Sequence, residues 1–164
     1  MSLASERRLA GRNDEALTLC DSAVSVDPAA AFAYARRSLW RLATDVAGAR
    51  VDAEAAVRLR AADYPIEAEA ALAAAEFRGG DTATARARLR ELSRSAGVLG
   101  PQATYFAAAA FTISGDREGA LGVLEALVPR GAVLWSLMRD PVFDAIRADP
   151  RFQRLVEESR PPGR

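Results

Sequence analysis

Cys20 is the sole cysteine of the chain and the first candidate for chemistry. A thiolate nucleophile needs a base, and the usual one is absent because the 164 residues contain no histidine. Cys20 also falls in an apolar stripe with Leu17, Leu19 and Val24, so a buried packing thiol is expected. The lack of histidine further excludes a Ser/His/Asp triad and an imidazole metal site, and a single cysteine excludes an intrachain disulfide or thiolate cluster. Three carboxylates, Glu67, Glu69 and Glu76, are placed to work as an acid–base pair or to hold a cation, and Glu69 and Glu76 share a helical face at seven-residue spacing. Two carboxylates on a helix more commonly form a solvated face, so no catalytic residue, metal or cofactor is expected and the chain is read as a non-enzyme. Gly79-Gly80 lacks both a preceding strand and the Lys-Ser/Thr of a phosphate loop, and reads as a turn.

Arg86, Arg90 and Arg94 recur at four-residue spacing, with Arg88 facing elsewhere, and this stripe is the best nucleic-acid signal in the chain. No aromatic platform interleaves it and Glu91 interrupts it, which favours a solvated helix face. Charges balance at 22 against 22, so no overall field draws the chain to nucleic acid or to an anionic membrane. All 22 basic residues are arginine, a bias expected of a GC-rich bacterial genome. No apolar run approaches the ~20 residues of a membrane helix, and MSLASERR has no signal-peptide core, so a cytoplasmic location without membrane contact is expected.

The elements that must position these residues follow from periodicity. A turn, a short polar stretch and an alanine recur as GRNDEAL at Gly11, TDVAGAR at Thr44, GGDTATAR at Gly80 and SGDREGAL at Gly115, at spacings of 33, 36 and 35 residues. Amphipathic helical sequence flanks each turn, and strand-like alternation is missing. Proline breaks at Asp27-Pro28, Asp63-Tyr64-Pro65, Gly100-Pro101 and Pro129 separate four helical hairpins. Their bounds are about 1–28, 30–61, 65–97 and 101–129. One hairpin cannot bury its own apolar face, so the units must stack.

After Pro129 the repeat stops. Asp140-Pro141 and Asp149-Pro150 each combine an N-capping aspartate with a proline at the first helical position. Short helices are expected near 132–139, 141–147 and 150–159, with Trp135, Leu137, Phe143, Ile146, Phe152 and Leu155 forming an apolar face that seals the stack over 130–160, before a tail at 161–164.

The repeat resembles the tetratricopeptide (TPR) family over about residues 1–129. The match is carried by Gly11, Asp14, Glu15, Ala16, Leu17, Ala23, Val24, Asp27 and Pro28 in the first unit, and by Ala73, Gly80, Asp81, Ala85 and Leu89 in the third. The fourth contributes Ala108, Phe111, Gly115, Asp116, Ala120 and Leu121. The terminal DPxFDxxRxDPRF segment resembles the ends of repeat regions in bacterial signalling kinases, nucleotide cyclases and transcriptional regulators. Two departures stand out. The first helix of unit one is short, which suggests a piece of a longer protein. Unit two has Thr44-Asp45 in place of glycine and is one residue short, leaving the faces of Arg36, Arg37 and Arg41 open.

The resemblance implies an all-α fold, a right-handed α-α superhelix or solenoid of hairpins with a C-terminal helical cap. It implies a groove lined by the first helix of each unit that takes a partner peptide or helix. By transfer, Tyr34, Ser38 and Arg41 face that groove in unit two, Glu67, Ala70, Ala74, Phe77 and Arg78 in unit three, and Gln102, Tyr105, Ala109 and Thr112 in unit four. Tyr34, Arg41, Phe77, Arg78 and Tyr105 are the expected energetic centres, with inter-helix packing as the alternative for the three aromatics. These first helices carry no lysine or asparagine, which argues against a chaperone's C-terminal tail as ligand. The expectation is a non-catalytic protein-interaction scaffold. Homodimerisation through the first hairpin and nucleic-acid binding by Arg86, Arg90 and Arg94 are the alternatives.

Overall fold

The computed structural model describes residues 2–59, 65–94, 100–126 and 133–160, and every regular element among them is helical. The order is α1 (Leu3–Leu9), α2 (Asn13–Val26), α3 (Ala31–Arg41), α4 (Val46–Arg58), α5 (Pro65–Arg78), α6 (Thr82–Arg94), α7 (Pro101–Ile113), α8 (Arg117–Glu125) and α9 (Val133–Leu137). A 3₁₀ helix (Pro141–Ile146) and α10 (Pro150–Glu158) complete the chain. The expected breaks at Asp63-Tyr64 and Pro129, and the tail 161–164, lie outside the described residues.

Three of the four hairpin turns are built alike. Gly11, Gly80 and Gly115 sit at φ values of 76°, 93° and 71°, a left-handed conformation that a side chain disfavours. In each, the amide after the glycine donates five residues back: Arg12 to Arg7 at 2.9 Å, Asp81 to Glu76 at 2.9 Å and Asp116 to Phe111 at 3.0 Å. This is the Schellman pattern, which satisfies carbonyls left open at a helix end. The turn at Thr44 differs. Asp45 N–H donates four residues back to Arg41 at 2.8 Å, and no left-handed residue is needed. Asp45, Asp81 and Asp116 then cap the following helices by accepting from Gly48, Thr84 and Gly119 at 2.8, 3.3 and 2.8 Å. The turn of unit two is therefore one residue tighter, which accounts for its departure from the repeat.

Within each hairpin the two helices pack together, and α3, α5 and α7 pack in succession, with α2 against α3 and α4 against α5. Alanine permits this close approach. Ala70–Glu76 of α5 and Thr104–Thr112 of α7 are buried throughout, so these two helices form the centre. Larger groups fill in around them: Phe106, Leu121, Leu124, Met138, Phe143 and Phe152 are fully buried, each stabilising by roughly 1.5–3 kcal/mol.

The C-terminal segment has the expected caps. Asp140 accepts from Val142 N–H and Asp149 from Arg151 N–H, both at 2.9 Å, with proline at the first helical position each time. It packs against α8, where Arg151 bonds Glu118 at 2.7 Å and Glu125 at 2.9 and 2.8 Å. It also packs against α7 and reaches back to α1 through Arg8 and Asp140. Its role is thus larger than sealing one end.

Candidate functional site

The first helices α1, α3 and α7 meet the C-terminal segment at a buried polar cluster. Tyr105 of α7 is 3% exposed. Its hydroxyl donates to Asp140 Oδ2 at 3.0 Å and accepts from Trp40 Nε1 at 3.3 Å. Arg8 of α1 approaches both Asp140 oxygens at 3.4 Å and donates from Nη1 to Asn13 Oδ1 at 3.2 Å. Burial, then the neighbouring Asp140 carboxylate, pushes the Tyr105 phenol well above its ordinary value. Tyr105 therefore stays protonated and keeps its donor role at physiological pH. The rings of Tyr105 and Phe143 stand edge to face at 5.9 Å, and Phe143 continues to Phe152 at 5.8 Å.

A cavity of about 10 Å³, the size of one water molecule, is lined here by Arg36, Trp40, Gln102, Tyr105 and Asp140 among others. The C-terminal segment thus packs on α7 and is tied through this cluster to α1 and α3.

This changes several expected groove residues. Tyr105 is a core residue bonded to Asp140. Thr112 is buried and donates to Ala108 O at 2.8 Å. Glu67 is buried in the first turn of α5, where desolvation raises its carboxyl above the ordinary range. Ser38, Ala70, Ala74 and Ala109 are fully buried. Gln102 is half-buried beneath the C-terminal segment, its Nε2 without a hydrogen-bond partner among the described residues. Arg41 turns to α4: its Nη1 donates to Asp52 at 3.1 Å and it lies 3.6 Å from Asp21. Tyr34 is half-buried, 5.3 Å beneath the Arg37 guanidinium. Phe77 is half-buried and Arg78 exposed. These twelve residues do not assemble into one open surface, because helix-to-helix packing and the C-terminal segment use most of them.

The carboxylates singled out in α5 are also structural. Arg88 of α6 turns away from its neighbours to bond Glu76 at 3.1 and 2.9 Å and to pair with Glu69. No cluster of three or more potential metal ligands occurs among the described residues, nor is any described helix long and apolar enough to cross a membrane. Cys20 is buried and its thiol is pushed up to about 11 by desolvation, opposed by Arg36 and Arg37. It is an inert thiol at neutral pH.

The arginine stripe splits. Arg94 pairs with Glu91 on its own helix. Arg86 and Arg90 instead line an open groove of about 570 Å³ between α6 and the α7–α8 turn, with Leu89 and Phe111 among its apolar residues and Asp116 and Glu118 among its acidic ones. Neither arginine has an ion-pair partner among the described residues.

Sequence reasoning missed Arg36 and Asp140. Arg36 is 9% exposed and stacks 4.3 Å over Phe32 and 5.5 Å over Trp40. The four-residue spacing of Phe32, Arg36 and Trp40 was the available signal. Asp140 was legible as a cap, but its pairing with Arg8 spans 132 residues.

No family model matches this chain, and neither a curated protein nor a solved structure does.

Proposed function

We propose that this chain is a non-catalytic protein-interaction module, a right-handed α-α superhelix of four tetratricopeptide-like hairpins with a C-terminal helical segment. It works in the cytoplasm as the repeat region of a larger bacterial regulatory protein. The repeated Schellman turns at Gly11, Gly80 and Gly115 and the succession α3, α5, α7 support the architecture. The observation that carries the function is the open groove beside α6, because its arginines Arg86 and Arg90 have no ion-pair partner among the described residues.

A partner peptide or helix suits this groove when it brings an acidic residue to Arg86 and Arg90 and an apolar side chain to Leu89 and Phe111. Affinity capture from bacterial lysate tests the reading, comparing wild type with Arg86→Glu/Arg90→Glu and with Phe77→Ala/Arg78→Ala, all at equal helicity. A partner lost by the first variant and kept by the second is expected. Loss in the second alone, or no partner for wild type, would remove the reading.

A second reading, self-association through the first hairpins, is favoured by the exposure of Leu3 and Val26. Sedimentation across a concentration series distinguishes it, since a protein that stays monomeric excludes a dimer. Nucleic acid is the weakest partner, because Asp116 and Glu118 share the groove with the two arginines and repel a phosphate backbone.

A further inference from the structure

A second groove, of about 330 Å³, opens between α1, α2 and α3. Leu3, Ala4, Leu19, Ala23 and Phe32 supply its apolar lining and Arg36 its charge. The volume lies at the lower end of the roughly 300–1,000 Å³ of small-ligand sites, which typically combine apolar walls with one or two placed polar groups.

Arg36 differs from the other well-buried arginines. Arg8 has Asp140 and Arg37 has Asp52, but no carboxylate pairs with Arg36 among the described residues. Its Nη1 donates to Ser2 Oγ at 2.5 Å, and its buried Nε has no acceptor among the described residues. A guanidinium offers five N–H donors in a fork that matches a carboxylate, and leaving such a charge buried without an anion is costly. The groove thus joins an apolar trough to a cation that lacks its anion.

We propose that this groove binds a medium-chain aliphatic carboxylate, its head group on Arg36 and its chain along Leu19, Ala23 and Phe32. The carboxylate supplies the counter-charge that Arg36 lacks among the described residues, and the chain covers apolar surface that is open to water. Both parts are required, so neither a short carboxylate nor an uncharged alcohol of equal length reproduces the fit.

Titration of the full chain with octanoate, followed by calorimetry and amide chemical shifts, tests this. Saturable one-to-one binding is expected, with shifts centred on Leu19, Ala23, Phe32 and Ala33. Affinity should rise about fourfold per methylene from butanoate to octanoate, and 1-octanol should bind at least tenfold more weakly. Arg36→Gln should lose at least tenfold in affinity. Ala23→Trp, which fills the trough from its exposed rim, should abolish binding. Failure to saturate in the millimolar range, octanol binding as tightly as octanoate, or wild-type shifts centred elsewhere would each overturn the proposal. The shift map and the ligand series use the unaltered chain, so they decide the matter even where a variant fails to fold.

Discussion

Tyr105 of α7 and Asp140 of the C-terminal segment share a hydrogen bond of 3.0 Å, and through it the C-terminal segment is fastened to α7. Trp40 and Arg8 complete the contact from α3 and α1. Tyr105→Phe leaves the ring packing intact and removes the partner of a buried indole N–H. The expected cost is about 1–3 kcal/mol, read as a lower denaturation midpoint in urea with an unchanged slope.

The pair formed by Arg37 and Asp52 fastens α3 to α4. Arg37 donates to the two Asp52 oxygens at 2.8 and 2.6 Å, and Asp52 is 2% exposed. Removing one partner of a fully buried pair costs roughly 3–5 kcal/mol. Arg37 and Arg41 retain 13% and 28% side-chain exposure, so water recovers part of this. Asp52→Ala should destabilise by about 2–3 kcal/mol in equilibrium unfolding.

Glu67 gives a pH dependence of definite sign. Burial raises its carboxyl above the ordinary 4.5, so the folded chain holds that proton more tightly than the unfolded one. Its contribution is present below the unfolded value and is lost as pH rises through the folded value. Glu67→Gln should therefore raise the melting temperature at neutral pH and make no difference below the carboxylate range. An equal effect at both pH values would contradict this.

Two glycines of α8 should respond with opposite signs to alanine. A Cβ at Gly119 would lie 2.4 Å from Phe111 Cδ1 and 3.0 Å from the capping Asp116 Cγ. Overpacking of about 1–3 kcal/mol outweighs a helix-propensity gain of about 1 kcal/mol, so Gly119→Ala destabilises. Nothing lies within 4 Å of a Cβ at Gly122, and Gly122→Ala should stabilise by about 0.5–1 kcal/mol. Thermal melts of the two variants check both.

The hairpins were legible because Gly11, Gly80 and Gly115 impose the same backbone constraint, and Asp140-Pro141 and Asp149-Pro150 because capping is local. The faces of Arg36, Arg37 and Arg41 were not, since the Thr44 turn is one residue tighter and shifts the register by about 100° of helix rotation. Tyr105 was assigned to a groove by transfer from repeat position. Periodicity carries no information about a contact between α7 and residue 140, and a capping aspartate does not announce a second role as an ion-pair partner.

The contact of Asp140 with Tyr105 of α7 and Arg8 of α1 is tested most directly by native-state hydrogen exchange. Amides of α7 from Thr104 to Thr112 should exchange with the slowest residues and only through global unfolding, and Asp140→Ala should speed their exchange and that of α1 together. Fast exchange in α7 of the unaltered protein, or an Asp140→Ala effect confined to residues 141–146, would contradict it.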